Sequence, residues 1–172
     1  MNPKLSPLFN RRSVRKYTDA KITDTQVQDL LEAAMAAPSA VAKDPWRFIV
    51  VRDQQKRNSM ADALPNGQML RTAPVAILVC GDIDKAHVGE LSYLLQDCSA
   101  AIENLLLAAS MLGLGACWLG VHPREDRIKA LCALFSLPAN IIPVSAIALG
   151  CPATKPEPRT RFDPAAVHQE AW

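Results

Sequence analysis

The sequence predicts one domain in which a sheet and several helices share a core, either α/β or α+β. Two observations carry this. Short apolar runs of strand length are separated by longer stretches with helical spacing, and a proline-rich tail follows the last run. The length of 172 residues suits a single domain. The expected unit is therefore 1–172, with 150–172 as an extension that has no core of its own.

The first strong element is a helix over about Asp24–Ala37. Thr23 and Gln26 form a T-x-x-Q capping box, and Ile22 against Val27 supplies a hydrophobic staple. Val27, Leu30, Leu31, Ala34 and Met35 share its apolar face. Pro38 stops the helix by disfavouring helical geometry at Ala37. Phe48–Val51 reads as a short strand, and Asp53 starts a polar helix. Leu64–Ala73, with Pro65, Asn66 and Gly67, reads as a loop. Val75–Val79 is an unbroken apolar run, as in a strand covered on both faces. Glu90–Leu112 has helical spacing and is apolar nearly all round after Cys98. At roughly 1.5 Å per residue it is about 34 Å long and belongs at the centre or at a large interface. Gly113 and Gly115 end it, and Ala116–Leu119 is strand-like. Pro123 suits the first turn of a helix reaching about Phe135, with Glu125 and Asp126 near its start. Val144–Leu149 is the last buried strand.

Composition narrows the function. A net charge of +2 with only one short basic cluster gives no footprint for nucleic acid. The five cysteines show no C-x-x-C or metal-ligand spacing, and four sit in apolar runs, which reads as a reducing compartment. Residues 1–10 are too short and polar for a signal peptide, and the apolar stretch around Leu105–Ala109 is interrupted by Glu103, Asn104 and Ser110. The expectation is a cytoplasmic protein without a membrane or nucleic-acid partner and without a metal.

Four segments hold the residues that could carry chemistry. Arg11, Arg12, Ser13 and Arg15 can gather on a phosphate through charge-assisted bonds, although alone a solvated basic arm explains them better. Pro38, Ser39 and Ala40, at a helix end, let backbone amides approach a flat ring; alone they are turn residues. The run Gly113 to Gly120 lacks G-x-G-x-x-G spacing and follows a helix, so it is not a dinucleotide phosphate loop. Arg159 and Arg161 supply a second basic pair if the tail folds back, and otherwise are solvated charge.

Taken together, R-R-S-V-R-K-Y at the start, A-P-S-A before P-W-R-F, the helix with Asp97 and Ala100–Leu105, G-L-G-A-C-W-L-G, and the R-T-R-F…V-H…W ending resemble the FMN-dependent nitroreductase family over nearly the whole chain. The resemblance implies an α+β sandwich, a mixed or antiparallel sheet flanked by helices, in an intertwined homodimer whose C-terminal arms, 150–172, embrace the partner. It implies two FMN at the interface. Arg11, Arg12, Ser13 and Arg15 would hold the phosphate, ribityl chain and pyrimidine edge, and Arg159 and Arg161 would complete the phosphate site. Leu119 and Gly120 would present backbone to the isoalloxazine, and Pro38, Ser39 and Ala40 would reach it from the other subunit. Glu103 and Asn104 would play a buried polar, structural part.

The implied reaction is hydride transfer from NAD(P)H through flavin to a small electron acceptor such as a nitroaromatic, a quinone or a free flavin, by a ping-pong sequence. Arg15 is the candidate for charge near the N1 and O2 edge. No protein general acid is assigned, and His87, His122 and His168 read as incidental. The chain departs from the family's N-x-Q-P-W: Ala42, Lys43 and Asp44 precede Pro45 and Trp46, which bears on flavin tuning and substrate choice. A non-catalytic FMN-binding or storage module is the alternative.

Overall fold

A short helix, α1 (Ser6–Asn10), opens the fold in the computed structural model, which describes residues 2–154 and 156–172. An extended segment leads to α2 (Asp24–Met35), β1 (Trp46–Val51), α3 (Gln54–Ala63), β2 (Val75–Asp82), α4 (Leu91–Met111), β3 (Gly115–Gly120), α5 (Glu125–Phe135) and β4 (Ile141–Gly150). The four strands form one antiparallel sheet in the order β1-β2-β4-β3. The class is α+β, and the sheet is antiparallel rather than mixed.

Alternation along the strands divides the core into two layers, because successive side chains leave a strand on opposite faces. Val75, Ile77 and Val79 of β2 join Ile147 and Leu149 of β4 beneath α2 and α4. Ala76, Leu78 and Cys80 join Ala146 and Ala148 on the other face, with Met60 of α3 and Leu131 of α5. Every residue of β2 is buried, which is why its run is apolar without alternation. Burying each large side chain here contributes roughly 1.5–3 kcal/mol. The long helix α4 lays Leu94, Cys98, Ile102, Leu105 and Ala109 into the first layer.

The capping box of α2 is present: the Gln26 amide donates to Thr23 Oγ1 at 3.1 Å and the Thr23 amide to Gln26 Oε1 at 3.0 Å. Ile22 and Val27 are both buried in the same layer. Met35 is not on the buried face; it is 52% exposed. It lies eight residues beyond Val27, roughly 80° round the helix at 3.6 residues per turn. Pro123 is not in the first turn of α5. The Arg124 amide donates to the Val121 carbonyl at 3.0 Å, so Pro123 lies in a turn and Arg124 caps the helix. The span read as a loop contains a 3₁₀ turn, Gln68–Arg71. Among the described residues no helix is long and apolar enough to cross a membrane.

Candidate functional site

The segment after α1 runs beside the outer edge of β3. Ser13 pairs with Ala116 in a parallel bridge, and the Val14 amide donates to the Ala116 carbonyl at 2.9 Å. Gly115 permits this approach, since a Cβ there would stand 2.7 Å from Val14 Cγ1. Tyr17 fixes the end of the segment: its hydroxyl lies 2.7 Å from the Val14 carbonyl and 3.2 Å from that of Ala148. Burial, chiefly, pushes the Tyr17 phenol well above its ordinary range.

The tail turns back along the same segment. Tyr17 and Pro152 form an antiparallel bridge; the Thr18 amide donates to the Cys151 carbonyl at 2.9 Å and the Ala153 amide to the Lys16 carbonyl at 3.0 Å. Farther on, the Arg159 amide donates to the Phe9 carbonyl at 3.0 Å, and Arg12 Nη1 donates to the Glu157 carbonyl at 2.5 Å. These bonds bring Arg11, Arg12, Arg159 and Arg161 onto one cavity of about 220 Å³, with Leu8, Phe9 and Thr160. Among the described residues its lining holds no carboxylate. Arg11 is partly engaged outside it, its Nε 3.3 Å from Glu103 Oε1. Glu103 is accordingly not a buried polar group: its side chain is 48% exposed and turned to this arginine. Asn104 does match the structural expectation, donating from Nδ2 to the Ala33 carbonyl at 3.1 Å and so tying α4 to α2.

A second cavity, about 530 Å³, lies at the other end of the same segment. Arg15, Asn66, Met69, Cys117, Trp118, Leu119, Gly120 and Arg127 form most of its wall. Gly120 meets nothing within 4 Å of where a Cβ would stand, so a flat ring could lie against this backbone. Again, among the described residues, no carboxylate lines the space. Burial raises the Cys117 thiol, and the nearby Arg15 guanidinium partly offsets that. A third space, of about 580 Å³, lies between the end of α4 and the proline-rich tail; among the described residues, Arg12 and Glu157 are its charged lining.

Pro38, Ser39 and Ala40 line none of these spaces within one chain. They form a tightly held loop beside α4. Ser39 Oγ donates to Asp44 Oδ1 at 2.5 Å and accepts from the Asp44 amide at 3.0 Å. The Ala40 amide donates to Oδ1 of the buried Asp97 at 2.8 Å. Val41, Ala42 and Asp44 have φ of 53°, 51° and 48°, the left-handed region that side chains with a Cβ disfavour.

Of the residues singled out in the sequence, then, Arg11, Arg12, Arg159 and Arg161 share one cavity, and Arg15, Leu119 and Gly120 share another. Ser13 lies between the two sets, held by its backbone. Asn66, Met69 and Arg127 were not singled out. Asn66 looked like a turn residue, and Arg127 looked like an ordinary surface charge in E-D-R.

Two cationic spaces are joined by one extended segment, and the bare backbone wall of the second leaves room for a flat ring. Comparison with known proteins identifies the family. The profile of the Nitroreductase family matches residues 8–68 and 62–151. A protein of Archaeoglobus fulgidus, provisionally named an NADH dehydrogenase/NAD(P)H nitroreductase, is 46% identical over 171 residues, covering 98% of each chain. A crystal structure with the same provisional name, from Bacteroides thetaiotaomicron, superimposes with a TM-score of 0.93 at 41% identity, covering 100% of this chain and 99% of the other. A structure from Desulfovibrio desulfuricans in complex with FMN, provisionally named a nitroreductase, has a TM-score of 0.85 at 34% identity, covering 100% of this chain and 99% of that one. The chain belongs to the nitroreductase family.

Proposed function

We propose that the protein is a homodimeric, FMN-dependent oxidoreductase that takes hydride from NAD(P)H and passes it to a small acceptor, a nitroaromatic or a quinone. The observation that carries this reading is the convergence of arginines from both ends of the chain on one carboxylate-free cavity. Guanidinium groups crowded together repel one another unless an anion lies among them, and a phosphate monoester is the dianion they fit in shape and charge. The open Gly120 backbone in the second cavity fits a flat ring. When bound, FMN supplies the hydride-accepting and hydride-donating chemistry.

In this reading Arg12, Arg159 and Arg161, with Arg11 and Ser13, hold the phosphate end. Arg15 faces the pyrimidine edge, and Leu119 and Gly120 form the backbone wall against the ring. Pro38, Ser39 and Ala40 of the partner subunit close the site from the other side. That placement is supported by their rigid presentation away from the cavities of their own chain. The arm, 150–172, wraps the partner; its part beyond Arg161 buries nothing within one chain, Phe162 being 80% exposed and Trp172 wholly so. The five free thiols support placing the protein in the reducing cytoplasm. Named homologues support the cofactor and co-substrate: FMN reductases of Bacillus subtilis at 27% and 24% identity, and a Vibrio harveyi NADPH:FMN oxidoreductase structure complexed with NAD⁺.

The test is anaerobic stopped-flow. Purified protein should be yellow with about one FMN per chain, NAD(P)H should bleach it, and a nitroaromatic or quinone should restore the colour. Yellow protein that NAD(P)H does not bleach would be a storage module. Protein that stays colourless after FMN is added would defeat both readings.

A further inference from the structure

Arg127 lines the second cavity, and its charge is not used by the family reading. It is the third residue of α5 and lines the second cavity opposite the segment that carries Arg15. Its Nη1 donates to the Gly120 carbonyl at 2.7 Å, while its Nε is buried without an acceptor. Its position is unfavourable for a cation, because the first turn of a helix carries the positive end of the backbone dipole.

The nearby acids do not offset that charge. Asp126 Oδ1 lies 3.6 Å from Arg124 Nε, and Glu125 Oε2 lies 3.4 Å from Lys129 Nζ. Arg127 and Arg15 therefore face one space as two cations whose shared wall holds no acid. A cation at the wrong end of a helix, without a carboxylate partner and hydrogen-bonded to the wall glycine, is placed to favour an anion in the adjoining space.

We propose that Arg127 is a tuning residue of the hydride-transfer site: it fixes the Gly120 carbonyl and supplies, beside Arg15, a second positive charge that favours the two-electron-reduced ring. The inference rests on the function proposed above. Hydride from NAD(P)H brings two electrons and one proton, and the nicotinamide departs oxidised. The ring thereby gains one negative charge, which a cation at its edge stabilises relative to the neutral oxidised form. When the acceptor removes the hydride, that charge is lost again. Two fixed cations thus bias the site toward its reduced state, whereas Arg127's contact with Gly120 alone would not.

The experiment is a redox titration of the FMN-loaded protein against a dye of known potential, for wild type, Arg127→Gln, Arg127→Lys and Asn66→Asp. Gln can keep a hydrogen bond to the Gly120 carbonyl without the charge, Lys keeps the charge, and Asn66→Asp adds a negative charge to the same wall without touching that bond. In Arg127→Gln and in Asn66→Asp the reduced-to-oxidised ratio at fixed poise should fall about tenfold, about 30 mV for a two-electron couple. Arg127→Lys should stay within about threefold of wild type. If Arg127→Gln does not fold, Arg127→Met, which also removes the charge, is read against Arg127→Lys in its place. Unchanged potentials in a normally yellow Arg127→Gln, or an equal fall in the Lys variant, overturn the proposal alone. A wild type that refuses FMN overturns the functional reading and this inference with it.

Discussion

Truncating Arg161 tests the convergence of the two chain ends most directly. Arg161 is exposed and lines the proposed phosphate cavity, so Arg161→Ala should change folding stability by no more than about 0.5 kcal/mol. A charge-assisted hydrogen bond to a phosphate oxygen contributes roughly 1.5–3 kcal/mol. At 1.4 kcal/mol per tenfold, FMN should bind about 10–150-fold more weakly. Riboflavin, which has the same ring and ribityl chain but no phosphate, should lose less than about twofold, because the cavity near Leu119 and Gly120 is untouched. The assay is flavin fluorescence quenching with both ligands at two salt concentrations. Arg11→Ala should cost less than Arg161→Ala, since Arg11 Nε already lies 3.3 Å from Glu103. Equal losses for FMN and riboflavin would refute the reasoning, because Arg161 would then be supporting the fold and not a phosphate.

Three further outcomes follow from the packing. Burial, first of all, pushes the Cys80 and Cys98 thiols up from 9.0 to about 12, so each remains protonated in the fold at pH values where the unfolded chain ionises. Their stabilisation is complete below about pH 8.5 and is lost as pH rises toward 12, at about 1.4 kcal/mol per pH unit for each thiol; urea melts between pH 8 and 11 should show the decline, and Cys80→Ala should flatten it. Gly115→Ala places a methyl 2.7 Å from Val14 Cγ1, which should cost about 1–3 kcal/mol and weaken FMN binding by displacing the arginine segment; unchanged affinity with a normal melting temperature would show that the approach is not tight. Val41→Gly removes a β-branched side chain from φ 53° at a site 70% exposed in one chain, and the gain of up to about 1 kcal/mol should raise the melting temperature by about 2–4 °C at this chain length. A fall accompanied by loss of the dimer would place Val41 in the subunit interface instead.

The local rules were legible wherever one short stretch settles the matter. Thr23 and Gln26 are three residues apart and form their capping box in the fold, and the unbroken run of β2 is a strand buried on both faces. The arginines were legible as motifs, but the route that joins them was not. It depends on backbone bonds between residues 16–18 and 151–153 and on Gly115 receding from Val14, and none of these has a side-chain signature. Glu103 was misplaced because its helical neighbours are apolar, whereas the solvent-side pull of Arg11 decides its orientation. Asn66 and Arg127 stay silent in sequence because their importance arises only where the turn after α3 and the start of α5 meet the end of β3.

The parallel register of Ser13 with Ala116 explains why one segment can serve both ends of a ligand. Arg12 and Arg15 are three residues apart on an extended stretch, so at about 3.3 Å per residue their backbones are separated by about 10 Å. Arg12 lines one cavity and Arg15 the other, so in the proposed function this stretch would act as a ruler for the linker between the ligand's anionic and flat ends. A ligand without a linker can occupy either space but not both, and the two interactions are then no longer made by a single molecule. Free phosphate should therefore compete with FMN far more weakly than its contacts suggest, while riboflavin and phosphate together should still fall short of FMN, because each has to be immobilised separately. The position of the ruler depends on the edge strand β3, and the edge strand accepts it only because Gly115 has no side chain in the way. In the proposed function the fold would thus set the length of ligand that the charges can hold.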